Sequence, residues 1–400
     1  MNKQEKKIMG LTTLSHSLVH LFEGVLPPLI PLVMTEFGTD YLHMGIIVMV
    51  FSYAFGFGSL PAGYLADKIG SRRLVTLYLF GSGLTAVCVW PVNSLFTYGI
   101  IMGFIGMFCS TYHPASNTLL SLTIREKGKA FGIHGIAGSL GVAVVPLLSA
   151  WIGSFLGWRA PHLVFGVLGI TVGFYSLTIP RPARVKRPDA ESGGVTQGER
   201  IPYTSLFVFL LSATALGLTY KGIMTFIPVY MGQNVHLSFM KMGTVALGGT
   251  MATFALFSGA MGQYIAGRLV DSYPAEKLYL VAVLFGMVFV FIMAMATNII
   301  LILSAVLFAF FFFSTQPIQN FLLAGYLPED RRGLGYGVLF FMTFGVGSTS
   351  ATVSGYLADH FGLTSVFYTM GFCLVLASFL VGYLNIRARD RKLREKNSNH

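Results

Sequence analysis

Charge is what this chain of 400 residues has least of: Asp, Glu, Lys and Arg together make up 11% of it, against 54% hydrophobic residues. An ordinary soluble domain is roughly one-quarter charged, so a water-facing globular surface is excluded as the main architecture. Cysteine is almost missing as well. The three present, Cys88, Cys109 and Cys373, each fall inside an apolar run, which excludes a disulfide framework. Also missing is a glycine-rich phosphate loop ending in Gly-Lys-Ser/Thr, so nothing points to an ATP-driven machine.

What remains is apolar sequence in long runs, with 35 Phe and 46 Gly among it. Twelve stretches reach the ~20 residues that a helix needs to cross roughly 30 Å of hydrocarbon. They lie near 10–35, 43–65, 74–93, 97–122, 130–154, 161–180, 204–231, 242–267, 278–298, 300–327, 333–357 and 363–386. The expected fold class is therefore an all-α integral membrane protein, because helices close every backbone hydrogen bond within the segment. The first run is longer than a signal-peptide core and no small-residue cleavage site follows, so it reads as a retained helix.

The net charge of +11 is distributed by side. With twelve spans and a cytoplasmic start, all but three of the 27 Lys and Arg fall in cytoplasmic segments, the exceptions being Arg159, Lys221 and Lys241. By the positive-inside rule both termini are expected in the cytoplasm. The basic excess is thus a topology signal, with anionic lipid headgroups gaining from it, and nucleic acid is not an expected partner.

One long polar break, "IPRPARVKRPDAESGGVTQGERIPY" at 179–203, divides the spans six and six. The expected organisation is an N-terminal six-helix half (1–180), a cytoplasmic linker (181–203), a C-terminal six-helix half (204–386) and a basic cytoplasmic tail (387–400). The halves echo each other: "PAGYLADKIGSRR" at 61–73 places Gly63, Leu65 and Asp67 where "IAGRLVDSYPAEK" at 265–277 places Gly267, Leu269 and Asp271. Weaker copies close the fifth and eleventh spans, "LSAWIGSFLGWR" and "VSGYLADHFGLT". Four related helix ends are what inverted repeats inside each half would leave.

In its motif "GYLADKIGSRR" the chain resembles the major facilitator superfamily. The resemblance implies twelve helices in two six-helix halves, a monomeric secondary transporter working by alternating access, and no cofactor or enzymatic activity. It also implies that Gly63, Asp67, Gly70, Arg72 and Arg73, with Gly267 and Asp271, form a gating latch. In physical terms Gly63 would let helices approach, Asp67 would accept hydrogen bonds from a neighbouring helix end, and the arginines would pair with acids or lipid phosphates.

Polar groups at membrane depth are the candidates for function, because each costs a few kcal/mol there. His16, His20 and Glu23 share one helical face, and "PPLIP" at 27–31 should kink the helix beyond them. Lys221, in "KGIMTFIP", sits where Glu23 sits in "EGVLPPLIP", so a Glu23–Lys221 pair across a central cavity is one reading; outward snorkelling of Lys221 is the other. His113, Pro114 and Asn117 in "TYHPASNTLLSL" are matched by Gln316, Pro317 and Asn320 in "STQPIQNFLLAG", two polar kinks that either line a binding surface or only pack. Gly132, Gly135, Gly138 and Gly141, followed by Pro146, give the fifth span a small-residue face for close packing.

Within the superfamily the chain is similar to the fosmidomycin-resistance exporters in "LSHSLVHLFEGVLPPLIPLV", "HPAS", "GKAFGIHGIAGSLGVAVVPLL" and "LPEDRRGLGYGVLFFMTFGVGS". That resemblance implies proton-coupled export of a drug-like or phosphonate-type anion from the bacterial cytoplasmic (inner) membrane. The fourth span lacks the arginine that proton-coupled exporters commonly carry. His20, Glu23 and His113 then become the proton carriers, since imidazole changes charge near neutral pH. An alternative use of His16, His20, Glu23 and His113 is a path for a divalent metal ion, and a facilitator of another small metabolite is the other alternative.

Overall fold

The computed structural model describes residues 1–179, 201–237 and 241–398; the expected linker therefore lies almost wholly outside the described residues. All regular structure among the described residues is helical. The first half contains α1 (Lys3–Gly24), α2 (Ile30–Phe37), α3 (Tyr41–Ile69), α4 (Ser71–Val87), α5 (Leu95–Cys109), α6 (Tyr112–Thr123), α7 (Lys127–Leu156) and α8 (Ala160–Leu177). The second contains α9 (Tyr203–Asn234), α10 (Thr244–Leu269), α11 (Ala275–Met295), α12 (Asn298–Tyr326), α13 (Glu329–Phe340), α14 (Thr349–Phe361) and α15 (Leu363–Ser398).

Local chemistry sets the ends. Helix α1 starts well before its apolar run because Asn2 and Glu5 form a reciprocal capping box, with the Glu5 N–H donating to Asn2 Oδ1 at 2.9 Å and the Asn2 N–H to Glu5 Oε2 at 2.7 Å. The expected kink is present: a 3-10 turn, Pro27–Leu29, separates α1 from α2. Gly38, at φ 58°, ends α2, and the Asp40 side chain accepts from the His43 N–H to start α3.

Of the twelve expected spans, eleven segments among the described residues are long and apolar enough to cross a membrane. The exception is α4, whose 17 residues rise only about 25 Å; turn residues after Val87 complete the 74–93 stretch. The two matched proline motifs differ in the backbone. The fourth span breaks at Ser110–Thr111, with Pro114 in the first turn of α6, whereas Pro317 lies inside an unbroken α12. A π-helical turn at Phe341–Gly345 and a 3-10 turn at Val346–Ser348 join α13 to α14.

The halves meet along two seams, α3 with α14 and α7 with α10. On the side opposite the termini, both carboxylate oxygens of Asp359 accept from the first turn of α3, the Tyr41 N–H at 3.0 Å and the Leu42 N–H at 2.8 Å. A Cβ on Gly45 would lie 2.2 Å from the Ala351 carbonyl oxygen, and one on Gly355 2.3 Å from that of Tyr41. In the other seam the Leu147 N–H donates to Thr253 Oγ1 at 3.0 Å, and a Cβ on Gly249 would lie 2.4 Å from the Pro146 carbonyl oxygen.

Toward the termini the last turns of α3 and the first turns of α7 are largely exposed, and three glycine expectations are corrected there. Gly63, Gly132 and Gly135 have nothing within 4 Å of where a Cβ would be, so none mediates close packing in this conformation. Gly138 and Gly141, one and two turns deeper, do: their Cβ positions fall 2.4 Å from the His16 ring and 2.7 Å from the Ser17 carbonyl oxygen of α1. Within the expected latch, Gly70 is needed for its turn at φ 90°, Gly267 has only an ordinary contact with Pro317, and Asp271 is exposed after α10. The Asp67 side chain lies outside the described residues.

The two arginines bond backbone carbonyls. Arg72 Nη1 donates to the carbonyls of Ser176 at 3.0 Å and Ile179 at 2.8 Å, closing the end of α8, and Arg73 Nη1 reaches Ile69 O at 3.5 Å. A charged hydrogen bond contributes ~1.5–3 kcal/mol, so Arg72→Ala should lower the thermal unfolding temperature of the detergent-purified protein. Arg72→Lys should recover only part of that loss.

Candidate functional site

The face of α1 read from the helical period is where the polar groups converge. His20 Nδ1 lies 3.0 Å from Glu23 Oε2, and Lys221 Nζ from α9 lies 2.5 Å from Glu23 Oε1. Glu23 thus gives one oxygen to its own helix and one to the other half of the molecule. The side chains of Lys221 and Glu23 are only 6% and 8% exposed, which excludes outward snorkelling of the lysine. The ammonium also lies 5.6 Å from the ring of Tyr220 and 5.8 Å from that of Phe344, within cation–π range.

His16 continues the cluster one turn earlier. Its Nδ1 lies 2.6 Å from the backbone oxygen of His134 on α7, and its ring stacks on the His134 ring at 4.1 Å between centroids. His113, the second residue of α6, brings its ring to 5.2 Å from His16 and 5.8 Å from His20. Phe55 and Phe340 flank His113 at about 6 Å. Buried phenols hold this face in place, the Tyr112 hydroxyl donating to Thr12 O at 2.6 Å and that of Tyr78 to Ser15 O at 3.1 Å.

The predicted residues therefore divide into groups. His16, His20, Glu23, His113 and Lys221 form one connected cluster. Gln316 joins a different chain, in which Gln263 on α10 donates to Gln316 Oε1 while its own Oε1 accepts from Ser139 of α7 at 2.6 Å. Asn117 and Asn320 are exposed and are not contacts of the histidine cluster. His113 and Gln316, at matched places in the two kinks, thus have different neighbours: histidines for the one, Gln263 for the other. Sequence reasoning missed His134, Tyr220 and Gln263. His134 was legible in principle, being a histidine amid the glycines of "GIHGIAG", and Tyr220 adjoins the lysine.

A cavity of about 50 Å³ lies against the ion pair, lined by Glu23, Lys221, Tyr220, Pro27, Val145 and Leu256 among others. It holds a water or two, whereas ligand sites run to roughly 300–1,000 Å³.

A sequence profile of the Major Facilitator Superfamily matches residues 12–352 and 210–399. The chain belongs to that superfamily. It is a transporter rather than an enzyme, in keeping with the membrane helices above. A D-galactonate transporter of Escherichia coli O6:H1 is 22% identical over 82% of this chain and 83% of its own length. A probable L-galactonate transporter of Escherichia coli K12 is 26% identical over 59% of this chain, a match spanning only 55% of that superfamily member. Among solved structures, a bacterial homologue of the lysosomal transporter Spinster superposes with a TM-score of 0.80 at 13% identity, covering 96% of this chain and 97% of that one. A D-xylose–proton symporter gives 0.76 at 15%, covering 95% and 97%. At such identities the superfamily fold alone is shared. These relatives do not carry the narrower resemblance to the fosmidomycin-resistance exporters.

Proposed function

We propose that the chain carries a small organic anion together with a proton by alternating access, in a bacterial cytoplasmic membrane with both termini inside. The observation that carries this reading is the Glu23–Lys221 ion pair joining the two halves, with His20 on the second carboxylate oxygen. In the empty carrier the two charges cancel, which lets the buried pair move without a net charge. An anion can take Lys221 only if Glu23 releases it, and protonation of Glu23, through His20, does that. The loaded carrier then holds one anion and one proton and is again neutral.

The substrate class follows from this chemistry. A carboxylate or a phosphonate suits a lone ammonium flanked by aromatic rings, and relatives named for galactonate transport support the carboxylate. With the termini in the cytoplasm, the side on which Gly63, Gly132 and Gly135 lack close neighbours faces inward, which supports an inward-open reading of this conformation. Export, which the fosmidomycin-resistance resemblance implies, would need proton and anion to exchange; this charge cycle favours their moving together.

Flux in membrane vesicles of both orientations tests the reading, with labelled D-galactonate and fosmidomycin as probes. Saturable flux of one anion is expected, with protons moving in the same direction and flux lost when the pH gradient is collapsed. Proton movement opposite to the anion would establish exchange instead. Flux indifferent to the gradient would remove proton coupling altogether.

A further inference from the structure

The histidines beside the ion pair carry a second pattern that transport of an organic anion does not require. One ring nitrogen from each of His16, His20 and His113 lies within 4.8 Å of the other two. A tetrahedral zinc ion with Zn–N bonds of about 2.0–2.1 Å sets its ligands roughly 3.4 Å apart, so small rotamer changes would close the set. One tautomer is already fixed. The His134 carbonyl 2.6 Å from His16 Nδ1 can only accept, so that nitrogen carries the hydrogen and Nε2 keeps the lone pair. His20 Nδ1 lies 3.0 Å from Glu23 Oε2 and donates to it in the same way when the carboxylate is charged and the imidazole neutral. Donation from Nδ1 to a carbonyl or carboxylate is the outer-shell arrangement of metal-ligating imidazoles, and it raises their basicity. His113 completes the set from α6, and the rings of Phe55 and Phe340 beside it limit access by water.

We infer that His16, His20 and His113 form a binding site for a divalent transition-metal ion of the zinc, cobalt or nickel class. Three imidazoles and no thiolate select these borderline ions over calcium or magnesium. The ligands come from α1 and α6, within one half, so the ion does not cross-link the halves.

Cobalt titration of the full-length, detergent-purified protein tests the site, because low-coordinate Co²⁺ absorbs strongly in the visible. One Co²⁺ per chain is expected, displaced by Zn²⁺, with the bands lost in His16→Ala and His113→Ala. His43→Ala and His360→Ala, at the ends of other helices, should leave them intact. His113→Gln, checked for unchanged size-exclusion and melting behaviour, separates ligand loss from misfolding. Absence of the bands in the wild type, or their survival in both histidine variants, overturns the site.

Discussion

Lys221→Ala abolishes anion transport and destabilises the protein, and the two effects separate in a second variant. Removing one partner of a buried ion pair costs about 3–5 kcal/mol, because the other charge is left uncompensated. Here the remaining partner is Glu23, 8% exposed and, among the described residues, otherwise bonded to His20 alone. The melting temperature of the purified protein should fall by several degrees. Lys221→Met combined with Glu23→Gln removes both charges, and apolar or neutral replacements of similar volume are often neutral in stability. The double variant should therefore melt close to wild type and still transport nothing, since neither the anion nor the proton has its binding group. Glu23→Gln alone should bind anion without requiring a proton but leave Lys221 unpaired in the empty carrier, so anion exchange should persist, indifferent to the pH gradient, while net flux is lost. Wild-type turnover in Lys221→Ala would reduce the pair to a structural tie between helices.

How much of this was legible depends on what each feature rests on. Span positions follow from apolar runs, which is why only α4, too short by helix length alone, departed from expectation. The face shared by His16, His20 and Glu23 follows from the helical period; the cost of an unpaired charge made a Glu23–Lys221 pair only one of two readings, and the burial of both side chains decides between pairing and snorkelling. Features that depend on a third helix were not legible. His134 stacks on His16 because Gly138 opens α7 beneath that ring, a contact that no local pattern encodes. Pro114 and Pro317 look alike in sequence, yet only the first sits at a helix break. Gly63 was misread for a different reason: helix approach depends on which side of the carrier is closed, and the sequence is the same in both states. Among the described residues, a carboxylate that caps a neighbouring helix across the halves in this conformation is Asp359, in one of the two weaker motif copies.

That dependence on state makes the Gly45 and Gly355 contacts the most exposed to substitution. Both glycines face backbone carbonyls, at 2.2 and 2.3 Å from an added Cβ, and a carbonyl in a packed helix cannot turn aside as a long side chain can. Overpacking typically costs ~1–3 kcal/mol per site, and the strain exists only while α3 and α14 are pressed together. Gly355→Val should thus shift the equilibrium toward the state open opposite the termini by roughly 5- to 150-fold, and Gly45→Val with Gly355→Val by more. Full inversion of a strongly biased equilibrium takes about 5.5 kcal/mol, which the double variant approaches and the single one does not. Spin labels at Thr39 and His360, placed in a background without Cys88, Cys109 and Cys373, report the separation across this seam. A longer distance in the single variant and a longer population shift in the double are expected, with transport falling in step. Asp359→Ala, which removes two hydrogen bonds to the start of α3 but adds no bulk, should move the distance in the same direction by less. An unchanged distance in the double variant would mean that the α3–α14 contact is not where the carrier opens, and the cycle would have to pivot on the α7–α10 seam instead.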